Sequence, residues 1–211
     1  MKFQLYSFGE SGHSYKVALA FHFSKANWEQ IFIDFFRGEA RSEAYKNEIN
    51  RMAEVPVLVY GDKKISQSGA ILDYLNGKTG NYFGKNDEER SEILRWVLWD
   101  NSKLSGSLGP TRFLMNFIPK DKKPVEVINY LQKRNDTALA VLESHLSGKN
   151  WVAADQLSAA DLSCCSYLFY PEEFGFDRKS YPNIDRWLSN IEELENWKHP
   201  YDLLERAYPP K

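Results

Sequence analysis

The sequence predicts a small α/β domain followed by an all-α domain. Three observations carry this expectation. Apolar runs of strand length alternate with helical patterns up to about Gly77. A stretch without periodicity, NGKTGNYFGKND from Asn76 to Asp87, is rich in Gly and Asn and marks a boundary. Beyond it every periodic segment is helical. The expected division is residues 1–77, a linker at 78–86, and a helical domain at 87–211.

Phe3 to Tyr6 reads as a strand, and Ser14 to Phe23 as a helix with Val17, Ala20 and Phe21 on one face. Ile31 to Phe35 alternates imperfectly and fits a second strand. Tyr45, Ile49 and Met52 lie at i, i+4 and i+7, which predicts a helix running to Met52. VPVLVY, a Gly-Asp turn and Ile65-Ser66 form an antiparallel hairpin, followed by a helix from Ser68 to Leu75. Helical crossovers imply parallel pairing of the first strands. In the second half, Asn86 with Glu89 suits a helix start. Pro124 to Leu146 is one long helical pattern, Ser158-Ala-Ala-Asp161 opens another with a capping-box-like start, and Tyr181-Pro-Asn leads into a third.

The chain has 211 residues, 43% of them hydrophobic and 27% charged, and a net charge of −2. That balance gives no support for a nucleic-acid partner or a charged membrane surface. No apolar run approaches the roughly 18 residues that span a bilayer. MKFQLYSFGES lacks the apolar core of a signal peptide, and Cys164 and Cys165 are adjacent and badly placed for a mutual disulfide; a reduced, cytoplasmic setting is expected.

Several chemistries fail on spacing. GESGH differs from the G-x-S-x-G nucleophile elbow because its second glycine comes one residue early. Gly9-x-x-Gly12 is neither a dinucleotide fingerprint nor a phosphate loop. His13, His22, His145 and His199 are scattered without metal-ligand spacing, so no metal is expected, and His145 reads as a helix-end cation or a surface residue. Pro56 in EVPVL fits an ordinary edge-strand proline or a cis Val55–Pro56 bond that turns the Val55 backbone toward a ligand. Gln67-Ser68, at the start of a helix, fits either capping or an anion site built from free amides and a hydroxyl.

LYS…SYKV, EVPVL and QSGAILDYL, in this order on a β-α-β-α-β-β-α frame, resemble a glutathione transferase. The likeness is to bacterial, serine-type, theta- or zeta-like members. It extends to LSAADLS and to YPNIDRWLSNIEELENWKHPYDLL in the helical half, and so covers nearly the whole chain. The resemblance implies a thioredoxin-like N-terminal domain that binds glutathione, an all-helical C-terminal domain, a homodimer, and attack by glutathione on a small electrophile. Thiol–disulfide enzymes of the same frame carry cysteine at the start of the first helix, where this chain reads ESGHS. The thiol is therefore expected to come from the ligand.

The resemblance also assigns residues. Serine-type members place the thiolate-stabilising serine six residues before the valine of the first helix, which is Ser11 here. Tyr6, at the end of the first strand, is the competitor. Ser7 and Ser14 then read as a turn residue and a helix cap. The Val55 backbone, ahead of Pro56, would pair with the cysteinyl part of glutathione, and Gln67 and Ser68 would hold the γ-glutamyl carboxylate. His13 would donate to sulfur, contact the glycine carboxylate, or lie on the surface. Glu54 departs from the lysine or glutamine that some members place there, and an acid cannot pair with the glycine carboxylate; Arg41, Arg51 and His13 are the alternatives. Trp96, Trp99 and Phe113 are candidates for the electrophile site, with core or dimer packing as the competing role. Conjugation, disulfide or peroxide chemistry, and a non-catalytic binding module all remain open on sequence.

Overall fold

The structure is a computed structural model that describes residues 2–80 and 82–209. The described chain forms two compact units. The first holds the residues up to Tyr82 together with those from Glu195 onward, and the second runs from Phe83 to Leu194. The closing segment, grouped on sequence with the helical half, thus packs with the first unit.

In the first unit, β1 (Phe3–Ser7), α1 (Gly12–Phe23), β2 (Trp28–Phe32), α2 (Glu43–Glu48), β3 (Val57–Tyr60), β4 (Lys63–Ser66) and α3 (Ser68–Leu75) follow in order. The sheet order is β2-β1-β3-β4. β1 and β2 are parallel, while β3 is antiparallel to both β1 and β4. This is the thioredoxin-like arrangement expected of a crossover followed by a hairpin. Val17 to Phe21 of α1 are wholly buried, as are Leu5, Leu58 and Leu72. Each such aliphatic side chain contributes about 1.5–3 kcal/mol by leaving water.

The bounds of β2 and α2 differ from the sequence reading. β2 ends at Phe32, and the apolar residues after it pack as a loop: Ile33 joins a buried cluster with Ala40, Tyr45 and Val57, and Phe35 stacks on Phe8 with ring centroids 4.6 Å apart. α2 ends at Glu48, because Asn50 makes its own turn: its Oδ1 accepts from Met52 N and its carbonyl from Ala53 N. Met52 is consequently exposed.

The closing segment includes the short helix α9, whose range is Pro200–Leu203. It is tied to the loop after β1. Gly9 N donates to Glu205 O at 2.6 Å, and a Cβ on Gly9 would lie 2.9 Å from that oxygen, so glycine is required by close approach. Glu10, almost fully buried, accepts from Ala207 N at 2.9 Å, Tyr208 N at 3.1 Å and Arg206 Nε at 3.3 Å.

The second unit contains α4 (Asp87–Trp99), a π-helical turn at Asp100–Leu104, α5 (Ser105–Asn116), α6 (Val125–His145), α7 (Ala159–Cys165) and α8 (Pro182–Glu192). Asn86 caps α4 by accepting from Glu89 N at 2.8 Å. Asp161 gathers the unit's core: it accepts from Val152 N, Ser158 N, Ser158 Oγ and Trp187 Nε1, all within 2.9 Å. No helix among the described residues is long and apolar enough to cross a membrane.

Candidate functional site

Ser11 is the N-cap of α1. Its backbone is extended (φ −88°, ψ 107°) and its Oγ accepts from Ser14 N at 3.1 Å. The cap expected at Ser14 therefore falls at Ser11, three residues earlier, and α1 begins at Gly12. Ser11 is 6% exposed. Its hydroxyl proton has no acceptor among the described residues. The first amides of α1 have no carbonyl one turn earlier within the helix, and the positive end of the helix lies here. Ser14 Oγ, completely buried beside it, also has no partner among the described residues.

Tyr6 is held differently. It sits in β1 in register with Ile31 on one side and Val57 on the other, and packs half-buried against the cluster of Ile33, Ala40, Tyr45 and Val57.

Two further segments supply polar groups in the same unit. The Val55–Pro56 peptide bond is cis. No described residue pairs with the N–H or C=O of Val55. Gln67 precedes α3 with φ +69°, a left-handed backbone unusual for a side chain of this size. Its Nε2 donates to Glu54 Oε2 at 2.7 Å. Ser68, 5% exposed, is the first residue of α3, and its Oγ lies 3.4 Å from His13 Nδ1. α1 and α3 thus meet at their N-terminal ends through His13 and Ser68.

The loop behind these groups is firmly set. The carbonyl of Glu54 accepts from Tyr45 Oη at 2.9 Å and Asn50 Nδ2 at 3.0 Å. Burial pushes the Tyr45 phenol up, so it remains a donor at neutral pH. Of the alternatives for a glycine carboxylate, His13 turns to Ser68, Arg41 lies 5.5 Å over the Phe35 ring, and Arg51 is exposed.

Sequence reasoning did not find Glu10, Asn50 or Tyr45 as supports: Glu10 acts across almost the whole chain, and Asn50 and Tyr45 act through side-chain bonds to one loop carbonyl that no residue pattern marks.

The aromatic candidates belong to the second unit. Trp96 is 4% exposed; its Nε1 donates to Glu92 Oε1 at 2.9 Å and its ring lies 4.1 Å from that of His145. Trp99 packs edge-on against Trp96, and Phe113 lies beside Phe117. Trp99 and Phe113 are half-buried. His145 closes α6, at a helix end as read from sequence; its ring is half-buried, and burial lowers its pKa. A groove of about 470 Å³ in this unit is lined by Glu92 and residues 148–155, and none of the sequence-predicted site residues lines it.

The glutathione S-transferase N-terminal domain family matches residues 1–77, and the C-terminal domain family matches residues 111–195. Glutathione S-transferase F10 of Arabidopsis thaliana is 28% identical over 181 residues, covering 82% of this chain and 84% of that protein. The disulfide-bond oxidoreductase YfcG of Escherichia coli is 25% identical over 192 residues, covering 87% of each. The crystal structure of a possible glutathione S-transferase from Rhodopseudomonas palustris superposes with a TM-score of 0.88 at 27% identity, covering 99% of this chain and 93% of that one. With both family domains matched in order on a thioredoxin-like sheet and a helical second unit, the chain belongs to the glutathione transferase family, a family of enzymes.

Proposed function

We propose that the protein binds glutathione along the Val55–Pro56 and Gln67–Ser68 segments and stabilises its thiolate with the Ser11 hydroxyl. The observation that carries this reading is the state of Ser11. It is a buried cap whose oxygen is oriented by Ser14 N and whose proton has no acceptor among the described residues. A free thiol has a pKa of about 8.5 and is only about 3% thiolate at pH 7. Lowering that pKa by about 2 units makes roughly three-quarters thiolate, a differential stabilisation of about 2.7 kcal/mol. One charge-assisted hydrogen bond and the positive end of α1 suffice for this.

The cysteinyl backbone of glutathione pairs with the unpartnered peptide groups of Val55, and its γ-glutamyl carboxylate sits at the start of α3 with Ser68, Gln67 and His13. The thiol proton leaves to solvent. The sulfur then forms a C–S bond to the electrophile, whose leaving group departs with the bonding pair. Ser11 only donates, so no base beside it is needed. Tyr6 packs against an apolar cluster and plays no such part. The electrophile is small and apolar, consistent with the half-buried Trp99 and Phe113; Trp96 is taken up in the core of its own unit. A cytoplasmic homodimer completes the proposal.

Ser11→Ala tests the assignment. Glutathione should still bind, the ultraviolet thiolate band on mixing should vanish, and turnover should fall about ten- to a hundredfold, the value of one charge-assisted donor. Unchanged turnover with bound glutathione would sink the role of Ser11. The name of the Escherichia coli relative favours a second reading, in which the bound thiolate attacks a disulfide. A panel of chloroaromatic, epoxide, peroxide and disulfide substrates separates the two.

A further inference from the structure

Glu54 is a carboxylate at the edge of a site that must hold a carboxylate. An acid there repels the γ-glutamyl α-carboxylate and the glycine carboxylate alike, unless it faces a positive charge. The γ-glutamyl end of glutathione supplies one: its α-ammonium is bonded to the same carbon as the α-carboxylate. Building on the reading of this cradle as a glutathione site, we propose that Glu54 binds that ammonium and makes the site selective for thiols with a free α-amino group.

The geometry matches the two charges of an amino-acid head. On the donor side are the first amides of α3 and the Ser68 hydroxyl, which lies 3.4 Å from His13 Nδ1. On the acceptor side is Glu54. Gln67, immediately before Ser68, joins the two sides, because its Nε2 donates to Glu54 Oε2 at 2.7 Å. That bond draws the carboxylate toward the γ-glutamyl side of the cradle. Oε1 of Glu54 has no partner among the described residues, and the residue is exposed.

The residue is also fixed where it stands. Its carbonyl is clamped by Tyr45 and by Asn50, which is itself buried. The backbone is left-handed at Ala53 (φ +56°) and again at Gln67. Such conformations persist only where the surroundings hold them. In the free protein an exposed carboxylate is well hydrated. Beneath a bound peptide it is partly desolvated, and its hydrogen bond to an ammonium gains accordingly.

The test is a cycle between one protein group and one ligand group. Two thioether peptides serve as probes: S-methylglutathione, and the S-methyl derivative of glutaryl-cysteinyl-glycine, which keeps the carboxylate and lacks only the amine. The blocked sulfur removes thiol ionisation from the measurement. Calorimetry gives the affinity of each for the wild type and for Glu54→Gln, whose amide can still accept from Gln67. We expect the substitution to weaken S-methylglutathione by roughly five- to tenfold, an ion pair in a half-covered site, and to change the glutaryl peptide by less than about twofold. Equal weakening of both peptides would show that Glu54 merely holds Gln67, and tighter binding of both that it only repels; either result overturns the proposal. A wild type that binds neither peptide would take down the glutathione reading as well, and is readily told apart from both.

Discussion

Ser11 and Ser158 occupy the same local position and are held in opposite ways. Each is a buried serine that caps a helix, α1 in one case and α7 in the other. Ser158 spends its hydroxyl proton on Asp161 Oδ2 at 2.7 Å, and its N–H goes to the same oxygen. Asp161 in turn accepts from Val152 and Trp187, so the group is closed. Ser11 accepts from Ser14 N and leaves its own proton unspent among the described residues. Completeness of hydrogen bonding sets the structural Ser158 apart from Ser11, the serine proposed to act.

The largest effect is expected at the closed group. Asp161→Ala leaves four core donors without their acceptor and should cost about 3–5 kcal/mol in unfolding free energy, read by denaturant titration. A loss under about 1 kcal/mol would mean that the donors find other partners, and the contrast with Ser11 would weaken. The next effect belongs to the open serine and should appear in rate. Glycine caps a helix nearly as well as serine, so Ser11→Gly should lose only a few tenths of a kcal/mol of stability. The same change should lower kcat/KM for glutathione conjugation by about ten- to a hundredfold. Equal loss in rate and stability would make Ser11 another structural cap. Ser158→Ala gives the reverse pattern: about 1–2 kcal/mol of stability, with kcat/KM of the folded enzyme unchanged.

How much of this contrast was legible in the sequence depends on the range of the interactions. The hairpin and α3 were readable because a Gly-Asp turn and a helix start are local signals. Ser158 with Asp161 was readable as a capping box for the same reason. Ser11, Val55, Gln67 and Ser68 were marked only through their joint resemblance to a family, since each alone also reads as a cap or an edge residue. What stayed hidden was long-range. Nothing near Glu54 announces Gln67, thirteen residues on, nor near His13 announces Ser68. Glu10 meets Ala207 and Tyr208 across almost the whole chain. The apolar run after Ile31 misplaced β2 because loop packing of Ile33 and Phe35 imitates strand alternation.

The smallest expected effect lies at His145, which extends the closed group by one member. Its Nε2 donates to Val152 O at 2.6 Å, while Val152 N donates to Asp161. A carbonyl can only accept, so Nε2 carries the proton whether the ring is neutral or charged. The ring lies against Trp96, with Lys149 Nζ 3.4 Å away. Burial lowers its pKa foremost, and Lys149 and Arg95 act in the same direction; the bond to Val152 and the Glu92 charge oppose them without reversing the outcome. The folded pKa therefore lies below the unfolded one. As pH falls through the ordinary histidine range, the unfolded chain takes up this proton before the folded chain does, and stability declines. Above that range both states are neutral at this site and its contribution is flat. Unfolding free energies measured between roughly pH 7.5 and 5.5 should decline in the wild type, and His145→Gln, which can keep an N–H toward Val152, should flatten part of that slope. An identical slope in the variant would mean that the ring charges freely in the folded protein, and that the closed group ends at Val152.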